Sequence, residues 1–128
     1  MSESPRAAFE IEVSSAEGEI KVVAVRGELD FDEAPALEQV LAELRAEGER
    51  EVVVDLSELM FIDSSGISVL VGAARAVSAD RGMLVVASPT PHVQRVFDIV
   101  RLVELVAIEE TLESAVQRIG WRREQSAG

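Results

Sequence analysis

Asp63, Ser64, Ser65 and Gly66 follow one another between two apolar segments, and their types and spacing are the ones in this sequence best suited to chemistry. Asp and Ser are preferred at helix N-caps because their side-chain oxygens accept hydrogen bonds from the unpaired N–H groups of the first turn. A capping box is absent, since Gly66 and Ile67 stand where Glu or Gln would be needed. Gly66 also weakens a first turn. These small residues predict a junction that another protein can approach closely, so capping and binding both stay open.

Catalysis at Ser64 has little support in the rest of the sequence. A Ser-His-Asp hydrolase needs a histidine base, and His92 is the only histidine. It stands in Pro91-His92-Val93 at a predicted helix start, which favours a structural or surface role. Ser64 also lacks the Gly-x-Ser-x-Gly elbow, and Gly66 and Gly72 lack the Gly-Lys-Ser/Thr ending of a phosphate loop.

Two aspartates, Asp30 and Asp63, can form a carboxylate pair if the fold brings their loops to one edge of a sheet. Acid–base chemistry usually also needs a pocket, and no sequence feature indicates one. The chain has no cysteine, which excludes disulfides, thiolate metal sites and cysteine nucleophiles. We therefore expect no catalytic residue, no metal and no cofactor.

The elements beside the junction are predicted from hydrophobic periodicity. Residues 51–56 contain a β-branched apolar run that is typical of a strand buried on both faces. A loop is expected next, carrying residues 59–62, with Met60 and Phe61 belonging to the core. Apolar residues then recur at three- and four-residue steps, which predicts a helix from about Ser65 to Ala79.

The remaining segments alternate between strands and helices. Strands over 9–13 and 21–26 are joined by six residues, too few for a crossover, so they should form an antiparallel hairpin. Asp30 or Asp32 can cap the first helix, which Gly48 closes. Further helices are predicted over Glu33–Ala46, 91–99 and Glu110–Ile119, and further strands over Met83–Ala87 and Leu105–Ile108. The pattern indicates an α/β fold with a mixed sheet that opens with the hairpin and continues in βα units.

Length and composition fit one domain, predicted over 9–120 between a loose tail at 1–8 and a polar tail at 121–128. At 128 residues and 48% hydrophobic, the chain can bury a core. A net charge of −12 argues against nucleic acid and anionic membranes and suits a basic protein partner or plain solubility. No apolar run approaches the ~20 residues of a membrane span, and the start does not read as a secretory signal.

Three blocks resemble the STAS domain of bacterial anti-sigma factor antagonists. They are Val52–Leu56 with Phe61–Ile67, then Arg26–Asp30, then Pro91–Asp98 with Leu102. The blocks lie in matching order and cover roughly residues 9–119. One departure is Glu33, where several family members carry Thr.

The resemblance implies an α/β fold with helices largely on one side, and a phosphorylation switch at Ser64. It implies that the unphosphorylated protein binds an anti-sigma factor that is also a serine kinase, and so releases the sigma factor. Asp30, Asp63, Ser64, Ser65 and Gly66 would contact that partner. The kinase would use ATP and Mg²⁺, and a serine phosphatase would restore the unphosphorylated form. We expect a cytoplasmic, non-enzymatic protein that is a monomer when free.

A second hypothesis is a structural STAS subunit of a stress-sensing or transporter-linked assembly. The Asp-Ser-Ser-Gly site and the small single domain favour the switch. Size-exclusion chromatography discriminates the two, since a free switch should elute as a small species.

Overall fold

The computed structural model describes residues 8–126, which form six strands and four helices. The predicted loose tail at 1–8 lies outside the described residues, apart from Ala8. The strands are β1 Glu10–Ser15, β2 Lys21–Leu29, β3 Glu51–Asp55, β4 Leu59–Ile62, β5 Met83–Ala87 and β6 Ala107–Glu109. The helices are α1 Ala34–Ala46, α2 Ser64–Ala79, α3 Pro91–Val100 and α4 Leu112–Ser126.

The sheet has the order β1-β2-β3-β5-β6, with β4 pairing beside the end of β2. The first two strands form the predicted antiparallel hairpin, in which Val13 pairs with Val23. All other pairs are parallel, and each crossover between neighbouring parallel strands contains a helix or the β4–α2 segment. The structure confirms the predicted mixed α/β sheet.

The two faces of the sheet bury two apolar clusters of different size. Val52 and Val54 of β3 point to the larger cluster, which is covered by α1, α2 and α3. Val53, between them, points to a smaller cluster that includes Ala115 and Ile119 of α4. This alternation follows from the period of two in a strand. Three helices on one face and one on the other confirm the prediction that helices lie largely on one side.

The loop predicted over 59–62 is a strand. Its residue Leu59 pairs with Gly27 and Ile62 pairs with Leu29, so β2 continues past the predicted end at Arg26. Gly27 has a φ of 93°, and the register shifts there, as glycine allows at a bulge. Alternate residues stay buried from Val23 to Leu29, but Gly27 has no side chain to continue the apolar pattern, so the sequence pattern alone ended the strand too early.

The C-terminal part also differs from the prediction. Helix α4 continues to Ser126, so residues 121–126 are helical rather than a polar tail, and the exposed Trp121 lies on this helix. Leu105 lies in a turn and is 51% exposed, and the last strand begins only at Ala107. Within residues 8–126 no helix combines the length and apolar character that crossing a membrane requires.

Candidate functional site

Asp63 is the N-cap of α2 and connects two loops. Its Oδ1 accepts hydrogen bonds from the backbone N–H groups of Ser65 at 2.9 Å and Gly66 at 3.2 Å. Its Oδ2 accepts a third hydrogen bond, at 3.0 Å, from the backbone N–H of Phe31. The capping interpretation of Asp63 is therefore confirmed, and the same carboxylate also fixes the loop that precedes α1.

Asp30 stands directly across from Asp63, because each follows one residue of the parallel pair Leu29 and Ile62. The backbone N–H of Asp63 donates to the carbonyl oxygen of Leu29 at 3.2 Å, which closes the space between the two loops. The condition set for the Asp30–Asp63 pair, one common sheet edge, is thus met. The loops that follow parallel strands lie together at the carboxyl ends of those strands, where sites often form.

The side chain of Asp30 stabilises a turn before α1 rather than capping the helix itself. Its Oδ1 accepts hydrogen bonds from the backbone N–H groups of Asp32 and Glu33, both at 3.1 Å. The N-cap position of α1 is Glu33, which makes no side-chain capping bond, and the helix begins at Ala34. The predicted cap by Asp30 or Asp32 is therefore wrong in position, since one extra turn separates Asp30 from the helix.

Ser64 is the first residue of α2 and is exposed, whereas Ser65 is half-buried. Among residues 8–126 the Ser64 hydroxyl has no hydrogen-bond partner, so it is available to a bound protein. The backbone around it is held by the Asp63 cap. An exposed hydroxyl on a fixed helix start fits the positioning that phosphoryl transfer requires.

Gly66 is buried, which corrects the expectation that it keeps the junction open to a partner. A Cβ at this position would lie 2.9 Å from the backbone oxygen of Leu29 and 2.8 Å from the Cγ1 atom of Ile62. Glycine is therefore required because α2 begins against the ends of β2 and β4. Any contribution of Gly66 to partner binding is indirect, through the position of Ser64.

Three exposed apolar side chains, in β4 and in the loop before α1, were missed in the sequence. Phe31 is 76% exposed, Met60 is 59% exposed and Phe61 is 38% exposed, so the assignment of Met60 and Phe61 to the core is wrong. The Phe61 ring stacks on exposed His92 with 6.3 Å between centroids. One available signal was the position of Phe31 between two aspartates, since a turn leaves an apolar side chain no core to enter. We call Phe31, Met60 and Phe61 the apolar patch.

The charge around the apolar patch is negative. Glu28, Asp30, Asp32 and Glu33 lie within six residues of chain, beside the N-cap Asp63. The nearby cation Arg26 bonds the carboxylate of Glu58 at 2.6 Å, and this hydrogen bond raises the pKa of Arg26. Within the described part of the chain, no group of three Asp, Glu or His side chains is arranged to hold a metal ion. The site is thus a small acidic and apolar surface around an exposed hydroxyl.

Comparison with known proteins assigns this chain to a family. The sequence profile of the STAS domain matches residues 11–115. An anti-sigma-B factor antagonist of Staphylococcus epidermidis is 35% identical over 91 residues, covering 71% of this chain and 84% of that protein. An anti-sigma factor antagonist structure from Mycobacterium paratuberculosis matches with a TM-score of 0.79 at 28% identity, covering 88% of this chain and 94% of the other. The structure of the Bacillus cell fate determinant SpoIIAA in its phosphorylated form matches with a TM-score of 0.65 at 26% identity, covering 88% and 99%. The chain therefore belongs to the STAS domain family of anti-sigma factor antagonists.

Proposed function

We propose that this chain is an anti-sigma factor antagonist whose binding to an anti-sigma factor is switched by phosphorylation of Ser64. The observation that carries the proposal is the exposed Ser64 hydroxyl at the start of α2, held in place by the Asp63 cap. In the unphosphorylated form the chain binds the anti-sigma factor and so releases the sigma factor, acting as a monomer in the cytoplasm. The names of the relatives above support this role.

The contact surface consists of the Ser64 hydroxyl, the apolar patch and the acidic residues Asp30 and Asp63. Exposed aromatic and methionine side chains are enriched at protein interfaces, and negative charge at the rim steers a basic partner surface toward it. The complementary face of the anti-sigma factor should carry an apolar pocket flanked by Lys or Arg. Ser65, which is half-buried next to Ser64, contributes at the edge of this surface.

The phosphoryl transfer needs no cofactor bound to this chain. A serine kinase places ATP with Mg²⁺ against Ser64, the Ser64 oxygen bonds the γ-phosphorus, the bond to ADP breaks, and the hydroxyl proton leaves to the kinase or to solvent. The product carries roughly −1.5 to −2 charges and more bulk than a hydroxyl. Since the hydroxyl lay against the nucleotide phosphates, the product phosphate is repelled by them. A serine phosphatase restores the hydroxyl by hydrolysis.

The geometry limits how a phosphate on Ser64 can interact with α2. The backbone N–H groups of Ser65 and Gly66 could otherwise donate hydrogen bonds to a phosphate at the helix start. Both already donate to the Asp63 carboxylate. Favourable interaction of the phosphate with α2 therefore comes from the positive end of the helix dipole, while the cap stays in place. We expect the domain to stay folded when Ser64 is phosphorylated.

The phosphorylation site is tested by incubating the chain with the anti-sigma factor kinase of its own organism and ATP, followed by mass spectrometry. Labelling should fall on Ser64, and Ser64→Ala should abolish it. Ser65→Ala is the matched control, since it removes the neighbouring hydroxyl and should retain most of the labelling. Label on Ser65, or persistence of the label in Ser64→Ala, contradicts the assignment.

A further inference from the structure

A cleft opens between α1 and α2 on the face of the sheet that three helices cover. Its volume is about 530 Å³, within the range of about 300–1,000 Å³ that is usual for small-molecule sites. Its floor reaches through the helix layer to the sheet, where Val52 of β3 and Leu84 of β5 line it. A helix of another protein packed across α1 and α2 would not reach the bottom of this cleft, so the shape suits a small molecule.

The walls of the cleft are apolar, and one of the residues that line them is a glycine without a side chain. Leu41 of α1 and Val69 of α2 line it, together with Gly72 in the middle of α2. A Cβ added at Gly72 would meet no heavy atom within 4 Å, because the space beside it is empty. The body of a ligand that enters this cleft is therefore hydrocarbon.

The rim of the cleft is negative. Glu38, Glu49 and Asp80 contribute three carboxylates, against one guanidinium from Arg45. Arg45 is already paired, since its Nε lies 2.7 Å from Asp80 Oδ2 and its Nη2 lies 3.3 Å from Oδ1. This hydrogen bond lowers the pKa of Asp80, so the pair stays ionised and neutral overall. Glu38 and Glu49 remain without an ion-pair partner among the described residues.

The backbone adds to the negative potential at one end of the cleft. α1 and α2 run side by side in the same direction and end at Ala46 and Ala79, next to Glu49 and Asp80. The carboxyl end of each helix carries a partial negative charge that favours cations. The net charge of −12 for the whole chain attracts cations at longer range.

We propose that this cleft binds an amphiphilic cation, with its hydrocarbon body between α1 and α2 and its ammonium group at the rim near Glu49. The rim near Glu49 lies at the opposite end of α2 from Ser64, about 24 Å along a helix of 16 residues, and the cleft itself extends along α2 as far as Val69. Binding here involves neither the kinase nor the anti-sigma factor. Its success or failure therefore leaves the proposed switch untouched.

The test uses the full ¹⁵N-labelled chain titrated with n-octylammonium chloride and followed by backbone amide NMR. The amide signals of Gly72, Ala73 and Ala76 should shift in a saturable manner. n-Octanoate has the same chain length and the opposite charge, and it should bind at least about tenfold more weakly because of the rim carboxylates. Octanoate binding as tightly as octylammonium overturns the proposal, as does the absence of shifts at these amides.

Two variants locate the ligand. Gly72→Leu fills the cleft and should weaken octylammonium binding at least about tenfold by removing its apolar contacts. Gly120→Leu is the matched control, because Gly120 is a glycine of α4 with open space around it and lies away from the cleft. It should leave binding unchanged. Equal binding by parent and Gly72→Leu overturns the proposal.

A surface variant keeps the test decisive if Gly72→Leu does not fold. Glu38→Gln with Glu49→Gln changes only the charge of the rim, and it should bring the affinity for octylammonium closer to that for neutral n-octanol. An unchanged preference for octylammonium contradicts the proposal. Shifts of the same amides with protein concentration alone would identify a second copy of the chain as the occupant and also contradict it.

Discussion

The carboxylate of Asp63 acts on three backbone N–H groups at once, so this residue belongs to the scaffold as well as to the surface. It fixes the first turn of α2 through Ser65 and Gly66 and the loop before α1 through Phe31. The exposed hydroxyl of Ser64 and the exposed ring of Phe31 are therefore held relative to one another by one side chain. A partner that contacts both groups binds a preorganised surface, which lowers the entropy cost of binding.

Replacing Asp63 should reveal this double role. Asp63→Ala removes the cap and the link to Phe31, and we expect a loss of about 2 kcal/mol in the free energy of unfolding. Asp63→Asn keeps a capping oxygen but turns an amide toward the Phe31 N–H, so its loss should be about 1 kcal/mol. Urea denaturation of the three proteins gives the order. Equal stability of Asp63→Ala and the parent would contradict the hydrogen-bond assignment.

Phe31 should contribute to partner binding and little to folding, because its side chain is 76% exposed. Phe31→Ala is expected to weaken binding to the anti-sigma factor by about 1–2 kcal/mol, as truncation of an aromatic interface residue commonly does. Ile99→Ala is the matched control, since Ile99 is 81% exposed but lies at the far end of α3. Isothermal titration calorimetry of both variants tests this, and equal affinities would remove Phe31 from the interface.

At the scale of elements, the start of α2 depends on close approach to the ends of β2 and β4. Gly66 is buried there, and the backbone oxygen of Leu29 occupies the space that a Cβ would need. Gly72, in the middle of the same helix, has open space at the corresponding atom. Two glycines of one helix thus have opposite structural requirements, which their sequence context does not reveal.

This difference predicts opposite effects for the same substitution. Gly66→Ala should destabilise the domain by about 1–3 kcal/mol, because Leu29 or α2 must shift to admit the methyl group. Gly72→Ala should stabilise it by about 0.5–1 kcal/mol, since alanine has the higher helix propensity and meets no neighbour. Thermal and urea unfolding of both variants measure the two changes. A stabilising Gly66→Ala would show that the contact at the β2 and β4 ends is looser than described.

Elements with a clear period were predictable, and those that depend on distant contacts were not. The hairpin, α1 and α2 follow from local alternation or helical repeats, and β5 follows from a continuous apolar run. The four residues of β4 show no alternation, since Leu59 and Ile62 are buried and the two residues between them are exposed. That strand exists because β2 extends past a bulge at Gly27, which brings the two segments together. Helix α4 extends to Ser126 although its last residues show no apolar stripe.

For the candidate site, the sequence predicted which loops form it but not the structural role of each residue in those loops. Asp30 and Asp63 were predicted to form a pair only if the fold brought their loops to one edge, and the pairing of Leu29 with Ile62 meets that condition. The burial of Gly66 and the exposure of Met60 and Phe61 depend on how β4 packs, which no local pattern records. The exposure of Met60 and Phe61 could therefore not be predicted from the sequence, although both residues lie within three residues of the Asp-Ser-Ser-Gly motif.

At the scale of the whole molecule, the site lies at one sheet edge while the cores lie on the two faces. A charge added at Ser64 therefore enters solvent and touches neither apolar cluster. The proposed switch then changes the surface that a partner meets and leaves the folded state intact. Ser64→Asp and the phosphorylated protein should keep their circular dichroism and melt within a few degrees of the parent.

The most direct test measures the affinity of one preparation for the anti-sigma factor, by isothermal titration calorimetry, before and after phosphorylation of Ser64. We predict an affinity at least about tenfold lower after phosphorylation, which corresponds to about 1.4 kcal/mol, with an unchanged circular dichroism spectrum. Ser64→Ala should bind like the unphosphorylated parent and should stay bound when ATP is present. Equal affinity before and after phosphorylation, or a loss of affinity that accompanies unfolding, would contradict the proposed switch.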